Sequence, residues 1–347
     1  MEIRKLSELC EIVIGKTPRT NIEQYWNQND VPFIDGSLRK KGRYISNFAI
    51  KSNKQVVADK SDILMSILGN FDFVYVDECT AFNQQVCLIK NNSNEKIFSK
   101  YLYFFLKKSI KRFETISIGT TVKHLNKTII KNFEISFPKI SIQQQIINII
   151  EPFEKIKKNI LSKLEQLKNL YSKIINNEFN YELMINNEIK FEKGVNLKKI
   201  KFSSNGITFI NVSAINNKPN KYVDLISKNL INVNYGDVVI SLDGTPGLVN
   251  NFLYGVNGYG YKLVSYKYKN YELYFSLLNK YNQKVISKFS TGTTILHASK
   301  AKNELVIMDF EKYKNVLEKI YEIEIKWKAI NLNLYRIINN LIFKYLV

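Results

Sequence analysis

The chain has 347 residues, 45% hydrophobic and 24% charged, with 51 Lys and Arg against 31 Asp and Glu and a net charge of +20. This length allows two domains with separate cores, and the composition excludes a disordered or membrane-embedded chain. There is no uncharged apolar run near the ~18 residues a spanning helix needs, no secretion signal at Met1-Glu2-Ile3-Arg4-Lys5, and only Cys10, Cys79 and Cys87, expected to be buried thiols, so a soluble, cytoplasmic protein is expected.

In chain order, Val56-Val57, Ile63-Leu64-Met65, Phe71 to Val76 and Val86 to Ile89 are short apolar runs between turn residues and predict strands, with a helix inserted from Ser99 to Phe113. Pro152 lacks an N–H, so a short helix is expected to end near Ile150 and a long one to run from Pro152 to about Phe179. The strand-like pattern returns from 190 to 309, where the glycine-dense Gly255 to Gly260 predicts a hairpin.

The halves repeat each other. Gly119-Thr120-Thr121-Val122-Lys123-His124 returns as Gly292-Thr293-Thr294-Ile295-Leu296-His297, carrying both histidines, and Asp62 to Gly69 returns as Asp237 to Gly244. Fainter echoes join Pro32-Phe33-Ile34 to Thr208-Phe209-Ile210 and Leu102-Tyr103-Phe104 to Leu273-Tyr274-Phe275.

Each half ends in a heptad pattern: Val316, Ile320, Ile323, Trp327, Ile330, Leu334, Ile337 and Leu341 in the second, and Ile142, Ile146, Ile149, Phe153, Ile156, Ile160, Leu167, Leu170 and Ile174 in the first, interrupted by Lys163. The connectivity makes a mutual coiled coil antiparallel. The expected fold is α+β: target-binding domains at 1–138 and 181–309, separated by long helices at 139–180 and 310–347, related by a pseudo-twofold axis. Helices of about 22 to 26 residues span roughly 33 to 39 Å, close to one turn of B-DNA.

Catalytic motifs fail. Gly15-Lys16-Thr17 ends like a P-loop, but Cys10 stands where its first glycine belongs. The prolines are never adjacent, which excludes an adenine methyltransferase loop, and the cysteines and histidines have no zinc spacing. Glu322, Glu324 and Lys326 flank the heptad seam and are expected to be solvated.

The order of these motifs resembles the specificity subunits of type I restriction–modification systems. The resemblance rests on Gly15-Lys16-Thr17-Pro18, Tyr25-Trp26, Pro32-Phe33-Ile34, Asp62 to Ser66 with Gly236 to Ser241, Asn83-Gln84, the two Gly-Thr-Thr loops, and Pro138 to Ile146 opening the long helix. The second half departs from the pattern, lacking the Thr-Pro and Tyr-Trp elements and the Pro-x-Leu-x-Glu-Gln opening. The resemblance implies a non-catalytic subunit whose two target-recognition domains read a split double-stranded DNA sequence for DNA methylation. Two methyltransferase subunits and nuclease–translocase subunits are the implied partners. S-adenosylmethionine, ATP and Mg would bind those partners, and this chain would hold no cofactor or metal. The alternative is a coiled-coil assembly protein without sequence-specific DNA recognition, its lysines a product of A/T-rich coding.

The arginines are only Arg4, Arg19, Arg39, Arg43, Arg112 and Arg336 among 51 basic residues, so their clustering is informative. Arg favours guanine edges and Lys favours phosphate. Candidate DNA contacts in the first half are Lys16, Thr17, Arg19, Arg39, Lys40, Arg43, Thr120, Thr121 and Lys123. In the second they are Lys198, Lys199, Lys201, Asn216, Asn217, Lys218, Thr245, Thr293 and Thr294.

Overall fold

In a computed structural model, the described residues are 1–27, 29–38, 40–194, 202–203, 206–224, 231–292 and 295–346, with only the backbone of Lys40, Lys41 and Gly42. The chain divides into two compact units, 1–157 with 334–347 and 158–333. The division cuts both long helices near their middles rather than at the expected borders.

In the first unit a four-stranded sheet has the order Cys10–Ile14, Val86–Asn91, Ile63–Ser66, Phe73–Tyr75. Val86 to Ile89 and Ile63 to Ser66 are buried throughout because the sheet is covered on both faces. Ile63, Met65, Cys87 and Ile89 join the core formed with helices Ser99–Lys108 and Ile110–Ile116, while Leu64, Val86 and Leu88 face a smaller cluster. A five-stranded sheet follows the order Trp26–Asn27, Lys40–Ile45, Val31–Ile34, Thr80–Phe82, Val57–Ala58. Its Val31–Ile34 and Thr80–Phe82 strands are parallel.

The second unit repeats both orders. Its four-stranded sheet runs Lys190–Lys193, Tyr261–Val264, Val239–Ile240, Val249–Asn250, and its five-stranded sheet Phe202–Ser203, Tyr222–Val223, Ile207–Ile210, Gly255–Asn257, Asn232–Val233. Gly255–Asn257 pairs with Ile207–Ile210 and Asn232–Val233, so the expected Gly255–Gly260 hairpin is instead a crossover between sheets. The repeated Asp closes a turn before its strand. Asp62 accepts from the Asp59 N–H at 2.8 Å and Asp237 from the Asn234 N–H at 2.8 Å, with left-handed Ser61 and Gly236 in the two turns.

Pro152 does not divide the first long helix, which is continuous over Ile140–Ile175. Pro152 is exposed, so the carbonyl four residues earlier, deprived of its helical donor, can be hydrated. The second long helix is Lys314–Tyr345.

Their covered faces differ from the expected seam. Ile160, Leu167, Ile174, Ile320, Ile323, Trp327 and Leu334 are half-buried or buried. Ile142, Ile149, Ile156, Leu170, Val316, Ile330 and Ile337 are instead 37–51% exposed. Their places inward are taken one residue later by Gln143, Ile150, Lys157, Tyr171, Leu317, Asn331 and Ile338, and Glu324 is buried beside half-buried Ile323. A long side chain on a helix leans toward the N-terminus, so a surface point is covered by a residue about one position later. This shift also puts exposed Lys163 outside and Leu164 inside, removing the interruption in the pattern.

Gln143 and Glu324 have partners. Fully buried Gln143 accepts from the Phe98 N–H at 2.9 Å and donates to the carbonyls of Lys96 and Pro138, each at 2.8 Å. Glu324, expected to be solvated, is buried and accepts from Tyr274 Oη at 3.1 Å and Lys328 Nζ at 2.6 Å. Within the first unit the helix segments share a core through Ile146, Ile147, Ile150, Ile338 and Ile342; within the second they do so through Tyr171, Ile175, Leu317 and Ile320.

No helix among the described residues is long and apolar enough to cross a membrane. Cys10 and Cys87 are buried, whereas Cys79 is exposed, contrary to expectation. Burial pushes the Cys10 and Cys87 thiols up to about 12. The Cys79 thiol is raised more modestly by partial burial and by Asp59 and Glu78.

Two outcomes follow. Ile150→Ala will destabilise the protein by about 2–5 kcal/mol and Ile156→Ala by less than about 1 kcal/mol, measured by urea unfolding; equal losses would contradict the shifted face. Iodoacetamide will label Cys79 alone in the native protein, faster as pH rises, with all three thiols labelled after unfolding, as counted by mass spectrometry.

Candidate nucleic-acid interface

Strand register gathers several loops at one end of the first four-stranded sheet. Cys87 pairs with Ile14 and Val86 with Ser66, so the chain leaves the sheet at Gly15, enters it from Gln85 and leaves again at Ile67 on the same edge. The Ile67 N–H donates to the Gln85 carbonyl at 3.0 Å. Gly15 must be small, because a Cβ there would lie 2.3 Å from the Asn83 carbonyl oxygen. The Gly15 and Lys16 N–H groups donate to the carbonyls of Val86 and Phe82 at 3.0 and 3.2 Å, leaving them unavailable to cradle a phosphate. Exposed Thr17 donates to Gln84, tying the two loops together.

The Gly-Thr-Thr segment joins the same end. Ile118 and His124 exchange backbone hydrogen bonds at 2.9 and 2.8 Å, closing a loop whose Thr120, Thr121 and Lys123 are exposed. The Gly69 N–H donates to the Lys123 carbonyl at 2.8 Å, docking this loop on the sheet end. Gly119 has φ +102°, and a Cβ there would meet the Val122 carbonyl oxygen at 2.4 Å. The Lys123 ammonium donates to the Glu114 carbonyl at 3.0 Å while its side chain stays exposed. Lys16, Thr17, Thr120, Thr121 and Lys123 therefore belong to one loop cluster.

Arg43 stands on the neighbouring five-stranded sheet, in the strand Lys40–Ile45. Arg43 lies over the Trp26 ring, 4.5 Å from its centroid, and Trp26 Nε1 donates to the Arg19 carbonyl at 3.2 Å. Arg39 and the side chain of Lys40 lie outside the described residues, as do Lys198, Lys199, Lys201, Thr293 and Thr294.

In the second unit, Lys193 pairs with Tyr261 and Ile240 with Tyr261, again bringing Gly194, Gly260 and Ser241 to one sheet end. His297 and Thr291 exchange backbone hydrogen bonds at 2.8 and 3.1 Å, and Asp243 pairs with His297 as Leu68 does with His124. Here the histidine gains a carboxylate: His297 Nδ1 is 2.9 Å from Asp243 Oδ1, with Lys193 Nζ 3.9 Å from Asp243 Oδ2. Exposed Thr245 lies two residues after Asp243.

Lys193 and Lys302 were not selected from sequence. Their ammonium groups lie 5.6 and 4.6 Å from the Tyr261 ring centroid and add positive charge to this end. Lysine abundance hid them, since neither has a distinctive motif around it. Asn216, Asn217 and Lys218 form a turn after the helix Val212–Ile215. Asn217 adopts φ +57°, and its Oδ1 accepts from Asn250 Nδ2 at 3.0 Å, so this side chain serves the turn. Among the described residues, no group of three His, Cys, Asp or Glu is placed to hold a metal ion.

Comparison with known proteins fits these features. The family model for the type I restriction modification DNA specificity domain matches residues 1–166. The type I restriction enzyme MjaIX specificity subunit of Methanocaldococcus jannaschii is 25% identical over 170 residues, 46% of this chain and 39% of that relative. A Haemophilus influenzae chain assigned as a type I restriction enzyme specificity subunit is 29% identical over 170 residues, 47% of this chain and 43% of that relative. The matched segment thus spans less than half of either relative. The crystal structure of the type I restriction–modification S subunit from M. genitalium shares the fold, with TM-score 0.57 and 16% identity over 100% of this chain and 96% of that one. Residues 1–166 thus match the family model for the type I restriction modification DNA specificity domain, and the chain is similar in sequence and in fold to type I specificity subunits.

Proposed function

We propose that this chain is the DNA sequence-specificity subunit of a type I restriction–modification enzyme. Each unit reads one half of a bipartite double-stranded target, the long helices act as an antiparallel coiled coil that sets the gap, and two methyltransferase subunits with nuclease–translocase subunits assemble on the scaffold. The catalytic steps, with S-adenosylmethionine, ATP and Mg, belong to those partners.

The observation that carries this reading is the repeated strand order, which brings corresponding basic, hydroxyl-bearing loops to one sheet end in each unit. Small threonines allow a backbone phosphate to approach closely, while Lys16, Lys123, Lys193 and Lys302 supply charge that neutralises it. Phosphate contacts fix register on the duplex, leaving base edges to fewer side chains. The charge surplus of +20 supports the same partner, although much of it is lysine and carries little sequence information.

Methylome sequencing of cells with and without the gene, in a host with active partner subunits, will show loss of a split adenine-methylation motif. Loss of no such motif overturns the proposal. Duplex affinity of the assembled methyltransferase will fall steeply with salt, with a logarithmic slope of about −0.9 per neutralised phosphate, and indifference to ionic strength would contradict it. In the same titration Gly119→Ala will weaken binding roughly tenfold by straining the loop.

A further inference from the structure

We propose that Arg43, held by Trp26, reads a guanine in the half-site of the first unit; this rests on the DNA-reading function proposed above. Arginine is scarce here, and the segment from Glu114 to Tyr335 contains none. Two of the six arginines are occupied by their own fold. Arg4 bonds Glu2 at 2.8 Å and approaches Glu8 at 3.6 Å, while Arg112 donates to the Glu134 carbonyl at 3.2 Å and covers Phe133. Arg43 is different, being exposed on the strand Lys40–Ile45 with its guanidinium over an indole.

The indole is itself fixed. Its Nε1 donates to the Arg19 carbonyl at 3.2 Å, and its ring meets buried Phe33 edge-on at 5.1 Å. Trp26 also pairs with Ile45 across the sheet, so backbone and ring are both held. A guanidinium stacked on a fixed ring loses little further freedom on binding, and its N–H donors lie in the plane at its edge. Two parallel donors match guanine N7 and O6 in the major groove; a lysine ammonium cannot reproduce that fork. Phosphate needs no such preparation, and the chain has 45 lysines to supply it.

The surroundings suit base reading. Arg43 and Trp26 line a surface depression of about 360 Å³ with Thr20, Glu23, Asn27 and Tyr44. An amide and a carboxylate there offer complements to adenine and cytosine edges beside the guanine.

The test is binding-site selection with the full chain assembled with its methyltransferase subunits, scoring preference at every base position. Wild type is expected to prefer guanine at a position in one half-site. Arg43→Lys, which keeps the charge, will reduce that preference roughly 10- to 100-fold, leaving other positions and the salt slope unchanged. Trp26→Leu will weaken the same preference partially, by freeing the guanidinium. Equal weakening on all sequences, or unchanged guanine preference in Arg43→Lys, overturns the assignment while the DNA-reading function stands. A wild-type complex with no base preference overturns both.

Discussion

The pairing register of the four-stranded sheet is the constraint on which the candidate interface depends. Its central strand, Val86–Asn91, is flanked on both sides and buried on both faces over Val86 to Ile89. A slip of one residue would exchange Cys87 and Ile89 with Val86 and Leu88 between two cores, so the register is strongly specified. Because both neighbours are antiparallel, the loops beyond Ile14 and Ser66 must emerge where Val86 enters. Tyr261–Val264 imposes the same condition in the second unit, which is how two units with few shared residues present equivalent loops.

The long helices show how polar groups can select among apolar faces. Hydrophobicity favours the stripe containing Ile142, Ile149 and Ile156, yet Gln143 and Ile150 lie inward. Gln143 replaces water at three main-chain groups near the end of the Glu134–Phe137 strand, which compensates for burying its amide. Glu324 similarly joins Tyr274 and Lys328. The row of Ile142, Ile149, Ile156, Leu170, Val316, Ile330 and Ile337 stays at the surface, a face that suits the helical scaffold role proposed for this chain.

The units are alike in topology and unlike in chemistry. Arg43 over Trp26 and Thr17 bonded to Gln84 belong to the first. The second has Asp243 where Leu68 stands, and with it a histidine–carboxylate contact. This divergence accords with the proposal that the two units, built on one strand order, read different half-sites.

By itself the sequence determined the duplication, the two long helices, the motif order and the candidate loops, because turn residues, heptads and repeated glycines act over a few residues. Gly119 and Gly292 could be recognised without coordinates, since their positive φ leaves a lasting mark on the residue chosen. Only the tertiary structure decided which helix face is buried, that Pro152 sits within one helix, and that Lys193 and Lys302 flank Tyr261. Those outcomes depend on which distant carbonyl, ring or hydroxyl is within reach of a side chain, and periodicity along the chain does not encode that distance.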